Sequence, residues 1–264
     1  MTTKARVLDF RDHRRELGQN RYVYAVVSRR AQGLSIGLNL NPGRDCSFLC
    51  RYCQVERSAP PQAVPVLLDR LGSELEALLG LVGSGKLWQH PPFDTVRDEL
   101  RRVADIAFAG DGEPSTSPQL AAAVAMVGLA RARHRLEGVP LRLLSNGSGF
   151  HTPTGRLALA RFHALGGELW FKLDAGTPQA YQRINCSTVP LERILDNLML
   201  ASRQRPVVVQ SLFSELHGQA PTAAEIHAWV QRLLQVVQSG GRVRETERDR
   251  GGRRCARVLS GPVV

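Results

Sequence analysis

The chain reads as an α/β protein built on a parallel sheet, and three observations predict it. Strand-like and helix-like segments alternate from residue 105 to residue 238. Ser-Pro or Thr-Pro pairs at 117–118, 152–153 and 177–178 mark where helices open. The 264 residues, 43% of them hydrophobic, suffice for one α/β domain of barrel size. Alternation at this rhythm means βαβ units whose strands run parallel in a sheet, curled or open.

Residues 1–20 are polar and arginine-rich, with Arg11, His13, Arg14 and Arg15 close together, and read as an N-terminal arm. Strands are predicted at 22–27 and 34–40, separated by a turn-like break at Arg29, Arg30 and Gly33. After Pro60-Pro61, residues 64–68 suit an edge strand, and helical periodicity runs through 73–82 and 95–103. The repeating units then follow. Strands at 105–109, 141–144, 168–173 and 206–213 are each succeeded by a helix, the first three opening at 117, 152 and 177. The last spans 222–238, with Thr222 and Glu225 spaced as a capping box. No internal repeat accompanies the pattern.

One loop concentrates the chemistry. Cys46-Ser47-Phe48-Leu49-Cys50-Arg51-Tyr52-Cys53 carries three of the five cysteines, the others being Cys186 and Cys255. Three thiolates on so tight a loop can converge on iron or zinc. A structural zinc site or a conventional ferredoxin cluster takes four protein ligands, whereas this loop supplies three and leaves a metal position open. A zinc knuckle completed by Cys186 or a histidine is the alternative. A disulfide framework is disfavoured by the odd count and by the absence of a visible signal peptide.

Three more segments stand at strand ends. Gly110-Asp111-Gly112-Glu113-Pro114 combines glycines, which let backbone approach a ligand, with a carboxylate that can accept from an ammonium group. In Ser145-Asn146-Gly147 the Asn side chain donates and accepts at once, as a pair of ribose hydroxyls requires. In Lys172-Leu173-Asp174-Ala175, strand alternation puts Lys172 and Asp174 on one side. Standing alone, each would be an ordinary turn or ion pair.

The cysteine loop, down to the aromatic Tyr52 before its last cysteine, resembles the cluster-binding loop of the radical S-adenosylmethionine (radical SAM) superfamily, and the three strand-end segments agree with the match. The resemblance covers about residues 20–240 and implies a partial parallel (β/α)6-type barrel of the radical SAM kind. It implies that Cys46, Cys50 and Cys53 hold a 4Fe-4S cluster whose open iron is chelated by S-adenosyl-L-methionine (SAM). Tyr52, Gly112, Glu113, Pro114, Asn146, Lys172 and Asp174 are the implied cofactor contacts. A one-electron reductant such as flavodoxin or ferredoxin would drive cleavage of SAM to methionine and a 5'-deoxyadenosyl radical, which abstracts hydrogen from the substrate. No residue is implied for the steps beyond.

The run from Ser28-Arg29-Arg30 through Leu38-Asn39-Leu40-Asn41-Pro42-Gly43 is similar to uncharacterised bacterial Fe-S oxidoreductases near the wyosine-type tRNA-modifying enzymes, which implies a tRNA or nucleotide substrate. Val207-Val208-Val209-Gln210-Ser211-Leu212-Phe213 departs from the superfamily's frequent Gly-rich adenine segment, with Gln210 and Ser211 as candidate pocket residues. Arg14, Arg29, Arg30 and Arg51 lie near the cysteines in sequence and are candidates for an acidic substrate.

The net charge is +11, of which the seven arginines and three acidic residues from Arg242 onward contribute +4. The remaining +7 is compatible with RNA or a nucleotide. No run of eighteen apolar residues is present, so a cytoplasmic protein without a membrane partner is expected. Residues 21–240 are taken as the core domain and 241–264 as an arginine-rich tail. That tail lacks strand alternation and is expected to be disordered or aberrant. A proper sixth strand is then missing, as if the true C-terminus were absent or read in another frame, and the open edge needs cover. The competing functional readings are a non-catalytic metal-binding, RNA-interacting module, with zinc or an Fe-S cluster, and an inactive enzyme relic.

Overall fold

The computed structural model describes residues 20–28, 31–55, 60–62, 64–213, 215–216, 219–249 and 256–257. Most of the N-terminal arm, Arg14, Arg29, Arg30 and most of the tail beyond 249 therefore lie outside the described residues. The strands are β1 (Val23–Ser28), β2 (Gly33–Leu38), β3 (Val103–Phe108), β4 (Leu141–Ser145), β5 (Glu168–Lys172), β6 (Val207–Leu212), β7 (Val243–Asp249) and β8 (Ala256–Arg257). They form one sheet in chain order, with β1 and β8 at opposite ends and not paired to each other. From β2 to β7 every pairing is parallel; β1 joins β2, and β8 joins β7, antiparallel. An open sheet with six parallel strands is the partial-barrel architecture that the resemblance implies, with the sixth strand that was expected to be missing in place.

Helices α1 (Leu68–Gly83), α2 (Leu120–Arg133), α3 (Pro153–Ala164), α4 (Pro178–Asn185), α5 (Leu191–Gln204) and α6 (Ala223–Gln238) connect the strands. Their packing accounts for the burial of the largely apolar strands β2 and β3, buried at all six and five of six residues respectively. Parallel strands covered on both faces need no polar side. Leu71, Leu75, Leu78 and Leu79 form the inner stripe of α1. Thr152 and Thr177 cap α3 and α4 with Pro at the first turn, and Thr222 with Glu225 closes a capping box on α6.

Four local expectations are corrected. Residues 95–103 are not a helix: short 3-10 turns at Phe93–Thr95 and Asp98–Leu100 precede β3. Phe93, Val96 and Leu100 are all buried, so helix-like spacing is met by two tight turns, held by Arg101 Nε donating to the Val96 carbonyl at 2.9 Å. The edge strand at 64–68 is absent, Leu68 being the first residue of α1. The helix expected from Ser117 begins at Leu120.

The missing sixth strand is the fourth. Val243–Asp249 pairs with β6 from Val207↔Val243 to Leu212↔Asp249. The unpaired edge of β6 supplies the partner that a charged sequence could not advertise through an apolar face. The start of this strand is fixed by Val207 N donating to the Arg242 carbonyl at 3.0 Å and by the Arg244–Glu168 ion pair at 2.7 Å.

Candidate functional site

The cysteine loop leaves the C-terminal end of β2 and meets the loops that follow β3, β4 and β5. Asn39 makes the first junction. Its Oδ1 accepts from the main-chain N–H groups of Asn41 at 3.0 Å and Asp111 at 3.2 Å, and its Nδ2 donates to Asp111 Oδ2 at 2.7 Å. Glu113 N donates to the Asp45 carbonyl at 3.0 Å. The two glycines of this segment serve the same approach. A Cβ on Gly110 would stand 2.3 Å from Asn39 Oδ1, and one on Gly112 would stand 1.9 Å from the Asp45 carbonyl oxygen. Here the glycines admit the neighbouring loop.

Glu113 is buried and turned inward. Its carboxylate accepts from Ser115 N at 2.8 Å, Ser145 Oγ at 2.5 Å and Asn146 N at 2.7 Å, tying the β3 loop to the β4 loop. Burial pushes this carboxyl up, and the bonds from Ser115, Ser145 and Asn146 oppose the rise only in part. Pro114 opens the short turn that follows. Asn146 points its side chain back at the cysteine loop: Nδ2 donates to Ser47 Oγ at 3.1 Å and lies 4.0 Å from Cys46 Sγ. Ser47 Oγ also shares a 2.6 Å bond with Ser148 Oγ.

Asp174 is the hub of the third junction. Oδ1 accepts from Leu212 N at 2.9 Å and pairs with Lys172 Nζ at 3.1 Å. Oδ2 accepts from the Tyr52 hydroxyl and from Asn185 Nδ2, the latter at 2.7 Å. Lys172 Nζ lies 5.0 Å from the Tyr52 ring centroid, a cation–π contact. Burial raises the Tyr52 hydroxyl well above its ordinary value, and the Asp174 charge adds to it. Cys50 is also raised, first by burial and then by Asp174, while Asn185, Tyr52 and Lys172 pull it back.

Residues that the sequence did not single out strap the loop down from α4. Leu49 N donates to the Asn185 carbonyl at 2.8 Å and Arg51 N to the Ile184 carbonyl at 2.9 Å, so the loop satisfies carbonyls left open at a helix C-terminus. Ser187 Oγ donates to the Ser47 carbonyl at 2.7 Å, and Asn185 Nδ2 reaches Cys50 Sγ at 3.3 Å. Ser211 is buried and donates to the Leu173 carbonyl, which also accepts from Trp229 Nε1 at 2.9 Å; the hydroxyl fixes the end of β5. Arg51 lines an outer cleft of about 700 Å³ with Gln182, Arg183 and Cys186, while the Cys186 thiol faces the Arg183 carbonyl at 3.8 Å.

Cys46, Cys50 and Cys53 are half-buried free thiols. Among the described residues no three His, Cys, Asp or Glu side chains are gathered around a single-ion position. The donor set nevertheless fits an iron–sulfur cluster. Three thiols share one loop, a turn closed by Cys53 N donating to Cys50 O at 2.9 Å joins two of them, and N–H groups lie 3.5 Å from Cys46 Sγ and 3.3 Å from Cys50 Sγ. Such donors stabilise sulfur carrying negative charge.

Comparison with known proteins identifies the family and the fold. The family model described as the Radical SAM superfamily matches residues 40–213, more than half of the chain. No curated protein matches the sequence. Among solved structures, a radical SAM methyltransferase from Sphaerobacter thermophilus superposes with a TM-score of 0.56 at 10% identity, over 90% of this chain and 62% of that one. TYW1 with a lysine-pyruvate adduct bound gives a TM-score of 0.52 at 14% identity, over 90% and 77%. At these identities the likeness is one of fold.

Proposed function

This chain belongs to the radical SAM superfamily, and from that premise we propose that it uses a 4Fe-4S cluster and SAM to abstract hydrogen from a tRNA base or a related nucleotide. The observation that carries the reading is the meeting of four strand-end segments. Loops after β2, β3, β4 and β5 are joined by direct bonds among Asn39, Asp111, Glu113, Asn146, Ser47, Tyr52 and Asp174. The C-terminal ends of parallel strands are where such folds carry their chemistry.

Cys46, Cys50 and Cys53 would hold the cluster. When bound, the cluster would supply one-electron reduction of SAM to methionine and a 5'-deoxyadenosyl radical, with an external donor of the flavodoxin or ferredoxin type as the source of the electron. The chain's own residues hold and shield the reactants. Because the Glu113 carboxylate is occupied, the Gly112-Glu113-Pro114 segment would meet an ammonium group through main-chain carbonyls. Lys172 and Tyr52, both anchored on Asp174, would face the cofactor carboxylate and ribose, with Asn146 reaching the ribose from the β4 loop.

The net charge of +11 supports a polyanionic substrate. No helix of the described residues is long and apolar enough to cross a membrane, in keeping with a proposed cytoplasmic site of action. Protein purified without oxygen and reconstituted with iron and sulfide is expected to bind about four irons. It should release 5'-deoxyadenosine from SAM under dithionite, and Cys50→Ala should abolish that release. One tightly held zinc with no release would overturn the reading.

A further inference from the structure

Asn185 belongs to none of the strand-end segments, yet it is the residue through which α4 reaches the cysteine loop and the Asp174 hub together. It is the last residue of α4 and is fully buried. Its main-chain carbonyl receives Leu49 N at 2.8 Å, and its side-chain amide donates to both Cys50 Sγ at 3.3 Å and Asp174 Oδ2 at 2.7 Å. The other end of the same amide is unmatched: Asn185 Oδ1 is buried with no hydrogen-bond partner.

That imbalance fixes the orientation. A buried carbonyl without a donor keeps the full cost of its lost hydration. Turning the amide over would instead set the carbonyl oxygen against the Asp174 carboxylate and a Cys50 sulfur that, as a deprotonated cluster ligand, is an acceptor too. The orphaned oxygen is the smaller penalty, so the two N–H bonds stay directed at Cys50 and Asp174. A side chain chosen for packing would not need this arrangement, since leucine is similar in size and leaves no polar atom unsatisfied.

We propose that Asn185 is a positioning residue that tunes the cluster through the Cys50 sulfur while holding Asp174 in place, and this rests on the cluster assignment made above. Hydrogen bonds to ligand sulfurs stabilise the more negatively charged, reduced state of an iron–sulfur centre and so raise its potential. The N–H from Asn185 would ease entry of the electron at the Cys50 side. In this chain the tuning group is delivered from a helix end some 135 residues away in sequence, next to the carboxylate that orients Tyr52 and Lys172.

The test uses the full chain, reconstituted with iron and sulfide, with the midpoint potential followed by electron paramagnetic resonance during a dithionite titration. Asn185→Leu removes both donors at similar size, and Asn185→Asp keeps the shape but leaves at most one donor for two acceptors. Both variants should load as much iron as the unaltered chain. Their reduction equilibrium constants should fall about tenfold, a shift of about 59 mV to lower potential for a one-electron couple. Unchanged potentials in both variants overturn the inference, even if thermal stability falls, because a purely structural role would move only the latter. Folded variants that both fail to load iron also overturn it, since Asn185 would then be needed for assembly. If the unaltered chain itself takes up no four-iron cluster, the cluster assignment fails first, and that outcome is distinct from a loaded cluster whose potential does not move.

Discussion

An alanine at position 112 would place its Cβ 1.9 Å from the Asp45 carbonyl oxygen and 2.6 Å from Asn41 Cβ, contacts that only backbone movement can relieve. Gly112→Ala is therefore expected to cost about 1–3 kcal/mol. It should also lower iron loading, because the strain falls between the β3 loop and the residue before Cys46. Urea unfolding and iron per chain, measured on the same preparation, check this; unchanged values in both would show that the loops part freely. The Gly-Asp-Gly-Glu-Pro segment was legible in the sequence as part of the candidate site, but the contacts it makes there were not. A glycine beside a carboxylate reads as ligand-binding, whereas here Gly112 yields space to Asp45 and Glu113 turns away to Ser145 and Asn146. Asn185, Ser47 and Ser187 left no local signal at all, since each acts across a contact that exists only after the β4 loop or the α4 end has packed against the cysteine loop.

At the scale of elements, α1 shows how a polar residue can fasten a strand. Glu74 is buried on the inner stripe and accepts from the main-chain N–H groups of Arg21, Tyr22 and Val23 at 2.9, 2.7 and 3.0 Å, with Arg70 paired at 2.8 Å. Burial alone would raise its carboxyl, but these donors outweigh burial and hold it below its ordinary value of 4.5. A depressed folded value means that the stabilisation is present above the unfolded value and is lost as pH falls through the folded one. Glu74→Gln should cost about 2 kcal/mol at neutral pH and markedly less at an acid pH below the depressed folded value, where the carboxyl is protonated in both states. Urea unfolding at the two pH values measures the difference, and a pH-independent cost would contradict the assignment. Helix starts at Thr152, Thr177 and Thr222 were readable because a cap is local chemistry. In contrast α5 follows Pro190 without a side-chain cap, and its buried Leu191, Ile194, Leu195 and Leu198 were the only mark of it in the sequence. Nor could β7 be read, because its charges conceal a strand that forms by pairing to β6.

Across the whole molecule the sheet separates stability from chemistry by strand end. The cysteine loop and its partners gather at the C-terminal ends, while an ion ladder crosses near the starts of the strands. Asp105 on β3 pairs with Arg142 on β4, which lies 3.4 Å from Glu168 on β5, which in turn pairs with Arg244 on β7 at 2.7 Å. Arg142 also lies 5.0 Å from the Trp170 ring centroid. The rungs differ in burial and hence in worth. Asp105 is buried with its second oxygen already unmatched, so Arg142→Ala would strand a charge and should cost about 3–5 kcal/mol. Arg244 is largely exposed, and Arg244→Ala should cost no more than about 1 kcal/mol. Neither change touches the cysteine end, so each variant that remains folded should load the same iron per chain with the same midpoint potential as the unaltered protein. Unfolding midpoints combined with the redox titration test both halves of the claim. A potential that moves with Arg142→Ala at full iron loading would mean that the two ends of the strands are coupled through the sheet, and that the separation does not hold.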